Sequence, residues 1–378
     1  MQPPGPEHTP LNRKKASFLF VLICGLCWYR WITREMFVLQ WLSCRIMGIP
    51  KIRALLNPVY FEKMADETEE EAMARRRVEV DKLMSMGSRI LQGDMAEVHD
   101  VTLAVKGGEI PLGVYVPKTA PGSGKAYKGV VLWFHGGGWM FGSTASTDAV
   151  ARDVAEASEM IVVSVGYRES PEVKFPVPVR DCLTAVQWVK RFIWAFGGDR
   201  TRIALVGESS GGNLALSTAL LMGRSWLPLT SRKSELCAVV AASPPVSYNH
   251  AKQGKGEDGE WRSYKRYWTG YGLTGTQMKA YWDWYLSKEK DGRRPLASPL
   301  RASKRMLKGL PPVLLLRAEH EVLWDEISEL GRRIADADQE VEEIQSKSCV
   351  HGAFAKGGDA CGSLTLHDTS RFLNEHCS

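Results

Sequence analysis

Residues 203–213 read IALVGESSGGN. Ile203 to Val206 is a short apolar run that predicts a buried strand, and the glycine-rich segment after it opens a helix. Between them, Gly207 to Gly211 form G-x-S-x-G, centred on Ser209. A serine on a sharp strand-to-helix turn needs glycines on both sides, because a Cβ there would clash. The turn lifts the hydroxyl clear of the sheet and over a helix N-terminus, whose dipole favours negative charge. Ser209 is the candidate nucleophile. Ser210 is the rival hydroxyl, but the motif centres on Ser209, and the Ser210 backbone N–H is left to face an oxyanion.

Outward from this stretch the pattern alternates. Strands are expected at 129–134, 160–166, 202–206 and 237–242, with helices at 145–158, 179–196 and from 211. Short, nearly unbroken apolar strands separated by helices predict an α/β fold with a mostly parallel sheet covered on both faces. A hairpin precedes them, 98–105 with 110–116, turned by Gly107-Gly108. The alternation stops at His250 and resumes with a strand at 313–316, a helix at 324–335, a strand at 341–345 and a final helix near 364–374. The interruption, about 250–295, carries nine Trp and Tyr residues between Trp261 and Tyr285. It reads as a cap over the mouth of the sheet; its aromatics one by one are more often packing than ligand contacts, and together they suggest an apolar pocket. The charged stretch Asp66–Arg77 reads as a solvated helix face.

Upstream, His135-Gly136-Gly137-Gly138-Trp139 follows the strand ending at Phe134. Consecutive glycines let backbone N–H groups approach a ligand oxygen closely. The N–H groups of Gly136, Gly137 and Ser210 make a three-donor oxyanion hole. A phosphate-binding loop is the other use of such glycines, but no Lys-Ser/Thr follows them. His135 reads as a structural brace. The two motifs, in this order, resemble the hormone-sensitive lipase-like family of α/β-hydrolases, which includes arylacetamide and steryl deacetylases and many carboxylesterases. The resemblance continues through Tyr167-Arg168-Glu169-Ser170-Pro171-Glu172, Phe175-Pro176, Asp181, Ser298-Pro299-Leu300, Leu310-Pro311-Pro312 and His351-Gly352, covering roughly residues 98–375.

The order of triad members in this fold is Ser, then Asp or Glu, then His. Residues 317–326 read RAEHEVLWDE, where the family usually has Asp-Pro-Leu-x-Asp-Glu. Matching Leu323, Asp325 and Glu326 puts Glu321 at the place of the acid, with Val322 replacing Pro. Glu319 and Asp325 are rivals. The family has His-Gly-Phe at the base; here His351-Gly352 is followed by an extra Ala353 before Phe354. His320, His367 and His376 are the alternatives to His351.

Apolar residues make up 44% of the chain and charged residues 24%, close to the globular norm. The net charge of +6 is spread too thinly to argue for nucleic acid. Eight cysteines are scattered, and a chain of 378 residues does not need a disulfide framework. Cys24 and Cys27 form a CxxC inside an apolar run, where they read as small hydrophobic residues. That run, Ala16 to Tyr29, follows Arg13-Lys14-Lys15 and ends in Trp28-Tyr29-Arg30-Trp31. It is short for a span of roughly 20 residues, and no clear cleavage site follows it. Its aromatic and arginine flank suits a membrane interface. It is expected to be an N-terminal anchor, single-pass or interfacial, with the endoplasmic reticulum as a candidate compartment. An amphipathic helix covering the chain's own pocket is the other reading.

The expected organisation is an apolar anchor over 1–50, a helical cap contribution over 51–97, and an α/β-hydrolase domain over 98–378. The resemblance implies a serine carboxylic-ester hydrolase that removes a short, acetyl-like acyl group from a bulky apolar alcohol through an acyl-enzyme. Such chemistry calls for no metal or organic cofactor, and no zinc-type His/Glu spacing is visible. The expected partners are the ester and a membrane, not nucleic acid. Two other functions stay open: a biosynthetic enzyme using the triad for cyclisation, dehydration or acyl transfer, and a non-catalytic receptor-like binding protein.

Overall fold

A computed structural model describes residues 68–377, except for 86–89, 92–93, 119–128, 224–234, 249–254, 257–258, 269–270 and 357–359. All described residues belong to one compact unit, Asn57–Ser378. The expected anchor over 1–50 lies outside the described residues, as does 51–67 of the expected cap contribution.

Eight strands form one sheet: β1 (Met95–Val105), β2 (Gly108–Pro117), β3 (Val130–Phe134), β4 (Ile161–Val165), β5 (Ile203–Glu208), β6 (Ala238–Ala242), β7 (Val313–His320) and β8 (Val341–Val350). Their spatial order is β1-β2-β4-β3-β5-β6-β7-β8. The β1–β2 hairpin is antiparallel and joins β4 antiparallel; every later pairing is parallel. The sequence separates the two regimes by burial. All five side chains of β3 are fully buried, whereas β1, at the edge, alternates between half-buried and exposed. Each fully buried large apolar side chain in such a strand contributes about 1.5–3 kcal/mol.

Among the described residues the helices of six or more residues are α1 (Glu69–Ser85), α2 (Asp148–Ser158), α3 (Val177–Phe192), α4 (Ser210–Met222), α5 (Arg262–Tyr267), α6 (Gly275–Tyr285), α7 (Trp324–Ala335) and α8 (Ala360–Cys377). Two clusters of buried apolar side chains cover the two faces of the sheet, Leu132 and Leu205 in one, Val131 and Val206 in the other. This is the period-two alternation of a doubly covered strand. The helix expected over 179–196 is a helix only to Phe192 and continues as a 3-10 turn, Ile193–Phe196. The strand expected over 341–345 runs on to Val350: Gln345 and Ser346 pair with Arg317 and Ala318, and after a break Val350 pairs with His320.

Two expectations need correction, on the charged helix and on the cysteines. The charged helix α1 is not a solvated face throughout. Arg76 is buried, and Arg77 donates to the carbonyls of Met140 (3.0 Å) and Ser170 (2.9 Å) and to both oxygens of Glu172. Several cap aromatics fill the core, the packing role read for them singly. Tyr264, Trp282 and Tyr285 are fully buried, and Tyr285 stacks on Trp139 at 4.2 Å. Finally, the chain does carry disulfides, Cys237–Cys377 and Cys349–Cys361. Sequence spacing concealed them: one joins residues 140 apart, and only the packing of α8 against the sheet brings the partners together. Among the described residues Cys182 is the free cysteine, and it is buried.

Candidate active site

Ser209 sits where β5 ends and α4 begins. Its backbone takes φ 54 and ψ −122, a region that L-residues rarely adopt. The turn is held by Ser209 N donating to Ala242 O at 2.7 Å and by Asn213 N donating back to Ser209 O at 3.0 Å. The close approach expected of the motif is met at Gly211, where an added Cβ would lie 1.9 Å from Phe134 O. No side chain fits between this turn and β3.

His351 follows β8. Its Nε2 lies 2.9 Å from Ser209 Oγ, and its Nδ1 lies 3.1 Å from Glu321 Oε2. With Nδ1–H donating to the carboxylate, Nε2 is left to accept the Ser209 hydroxyl proton. Glu321 is fully buried, and its second oxygen accepts from Ala318 N at 2.8 Å. The longer Glu side chain is thereby fixed at both oxygens. The rival acids are engaged elsewhere. Glu319 accepts from Ser348 N at 2.7 Å, and Asp325 accepts from Ser263 N at 2.8 Å on the cap. The rival histidines also stand apart: His320 packs between Tyr267 and Tyr271, and His376 against Phe372 and Glu340.

The glycine loop crosses beside Ser209. Gly136 is close enough that an added Cβ would meet the Ser209 side chain at 3.4 Å. Gly137 has φ +111, and its carbonyl accepts from the N–H groups of Met140 and Phe141. Its carbonyl is thus turned back into its own loop. Ser210, the first residue of α4, is fully buried. His135 braces the loop. It stacks on Tyr167 at 4.3 Å, its Nδ1 lies 2.9 Å from Gly136 O, and Tyr167 donates its hydroxyl to His135 O at 2.8 Å. Burial pushes the His135 imidazole pKa down, which suits a neutral brace.

Two supporting carboxylates were not singled out from sequence. Glu208, the variable residue before Ser209, accepts from Phe354 N at 2.7 Å and so ties the turn after His351 to the turn of Ser209. Its place inside G-x-S-x-G, next to Ser209, was the available signal. Glu326 is fully buried beneath the cap. It accepts from Val246 N, Ser247 N and Tyr264 Oη, yet burial still pushes its pKa up to about 8. Among the described residues no group of three or more His, Cys, Asp or Glu side chains could hold a metal ion.

Residues 131–355 match the alpha/beta hydrolase fold family. An arylesterase of Saccharolobus solfataricus is 30% identical over 309 residues, covering 80% of this chain and 90% of that protein. The chain belongs to the hormone-sensitive lipase-like family of α/β-hydrolases. Ethyl acetate hydrolase of Pseudomonas putida is 29% identical to this hydrolase over 69% of its chain and 76% of the relative's. The crystal structure of EstE1, a thermophilic carboxylesterase from a metagenomic library, superposes with a TM-score of 0.71 at 29% identity. It covers 81% of the hydrolase and 98% of EstE1. The hydrolase is accordingly a serine carboxylic-ester hydrolase.

Proposed function

We propose that Ser209, His351 and Glu321 are the catalytic triad, with Gly136, Gly137 and Ser210 as oxyanion donors, acting on a short-chain ester of a bulky apolar alcohol. The observation that carries this is the continuous chain of contacts, Ser209 Oγ to His351 Nε2 at 2.9 Å and His351 Nδ1 to Glu321 at 3.1 Å. Ser209 Oγ attacks the ester carbonyl while His351 Nε2 takes its proton. The developing oxyanion is met by the three N–H groups. His351 then protonates the leaving alcohol, and a water activated by the same nitrogen clears the acyl-enzyme. Glu321 holds the imidazole tautomer and stabilises the imidazolium.

The relative named for ethyl acetate supports a short acyl group. Partly exposed Tyr271, Tyr281 and Trp268 on the cap offer apolar surface for the alcohol. The apolar run from Ala16 to Tyr29 supports an N-terminal membrane anchor. Two disulfides in the described unit favour an oxidising compartment on the side where that unit lies. The basic Arg13-Lys14-Lys15 would then remain on the cytoplasmic side.

The decisive experiment is a screen of wild type against Ser209→Ala with esters of graded acyl length and alcohol bulk. The expected result is loss of hydrolysis in the variant and a preference for acetyl esters in wild type. Full hydrolysis by Ser209→Ala would remove the nucleophile assignment. Carbonate extraction of membranes tests the anchor, which predicts retention in the pellet.

A further inference from the structure

His351 stands just beyond a break in the β7–β8 ladder. Ser346 pairs with Ala318 and Val350 with His320, so four steps along β8 face two along β7. The extra residues form a bulge in which Ser348 takes φ 59. Bulges bend the strand that carries them and re-aim the side chains that follow. Here the residue that follows is the base.

Two side-chain connections close on this bulge. Glu319, facing it from β7, accepts from Ser348 N at 2.7 Å. Cys349 is fully buried and is joined to Cys361 in the first turn of α8. The disulfide encloses a segment in which His351 is the second residue after Cys349. The other disulfide is placed differently. Cys237 precedes β6 and donates its N–H to Ile203 O, at the end of β5 remote from Ser209.

We propose that the Cys349–Cys361 disulfide and the Glu319 carboxylate position the His351 imidazole, so that reducing this one bond lowers turnover while the fold persists. Reduction by a dithiol transfers two electrons and two protons: the S–S bond breaks, Cys349 and Cys361 become thiols, and the reductant closes to its own disulfide. The backbone two residues before the base then loses its covalent tie to α8. Proton transfer needs Nε2 within hydrogen-bond reach of Ser209 Oγ. Displacement by an ångström is enough to lower the rate about 100-fold. Glu319 and the two cysteines act through the backbone and are positioning residues.

The inference rests on the assignment of Ser209 and His351, so Ser209→Ala is assayed alongside. Full-length wild type, Cys349→Ser/Cys361→Ser, Cys237→Ser/Cys377→Ser, Glu319→Ala and Glu319→Gln are compared for kcat and KM on a short-chain aryl ester, with circular dichroism to establish folding. Removing Cys349 and Cys361 is expected to lower kcat at least about tenfold with KM within about twofold, and to abolish the response to dithiothreitol. Removing Cys237 and Cys377 leaves both kcat and that response in place. Glu319→Ala lowers kcat in the same way, and Glu319→Gln recovers most of it, because an amide oxygen still accepts from Ser348 N.

Wild-type kcat in a folded Cys349→Ser/Cys361→Ser protein overturns the proposal. If that double variant does not fold, the Glu319 pair decides: wild-type kcat in Glu319→Ala overturns it, and loss restored by Gln upholds it. Activity surviving in Ser209→Ala marks failure of the site assignment itself, which is a separate outcome.

Discussion

Glu321 Oε2 lies 3.1 Å from His351 Nδ1 while Glu321 Oε1 accepts from Ala318 N, and the carboxylate is shut off from solvent. A buried acceptor with both oxygens committed leaves one role for Nδ1, that of donor. In Glu321→Gln the amide oxygen remains with Ala318 N, and the amide nitrogen meets Nδ1. The imidazole then has to carry its proton on Nε2, where it cannot accept from Ser209. The expected loss in kcat is about 10⁴-fold, the size seen when a triad acid is replaced by its amide. Glu321→Asp keeps the charge but withdraws it by one methylene, and a fall of about 100-fold is expected. Steady-state kinetics on a short aryl ester checks both; a Gln variant within tenfold of wild type would sink the role of Glu321.

Gly137 is the second site of prediction. An added Cβ there would lie 2.0 Å from Phe141 O, and φ is +111. Gly137→Ala must therefore move the loop that lies beside Ser209. The expected kcat decrease is about 10²–10³-fold, comparable to the loss of one oxyanion donor. Ordinary turnover in this variant would show that the loop's N–H groups are not part of the reaction.

Stability should fall as pH rises. Burial pushes the carboxyls of Glu326 and Glu169 up to about 8, above the ordinary 4.5. Between those values the folded chain binds more protons than the unfolded chain, so this contribution is complete at low pH and is lost as pH passes 8. Glu326→Gln removes one titration while keeping an acceptor for Val246 N. Melting temperatures from pH 5 to 8.5 should decline less steeply in the variant. A steeper decline in the variant would contradict the direction of the shift.

The Cys237–Cys377 disulfide closes a segment of 140 residues. In the chain-entropy picture a loop of this length is worth about 5 kcal/mol, and native disulfides typically deliver about 2–5 kcal/mol. Cys237→Ser/Cys377→Ser should lower the denaturant midpoint accordingly at unchanged kcat. A midpoint equal to that of wild type would mean that α8 is held by its apolar contacts alone.

Much of the site was legible in local sequence because its chemistry depends on local backbone. Gly207 and Gly211 bracket Ser209, since no Cβ fits where β5 turns into α4 and passes β3. The glycines after His135 carry the same kind of message. The α/β alternation was legible for a similar reason: buried strands of the parallel part have no polar positions to spare. Element ends were less so. Val350 closes β8 through a bulge whose residues, Lys347 to Cys349, have no strand-like pattern.

The sequence by itself determined the turn at Ser209, the glycine loop and the alternation of strands with helices, because steric demands of backbone and burial act over a few residues. It also narrowed the acid to Glu319, Glu321 or Asp325. Only the tertiary structure sets them apart. All three are carboxylates within seven positions, and what separates them is the donor each one meets: Ser348 N, His351 Nδ1 or Ser263 N. The disulfides, the docking of Arg77 across the loop after β3, and the use of cap aromatics as core were decided at the same level. Each depends on contacts between segments far apart in the chain, and residue type alone does not specify its partner.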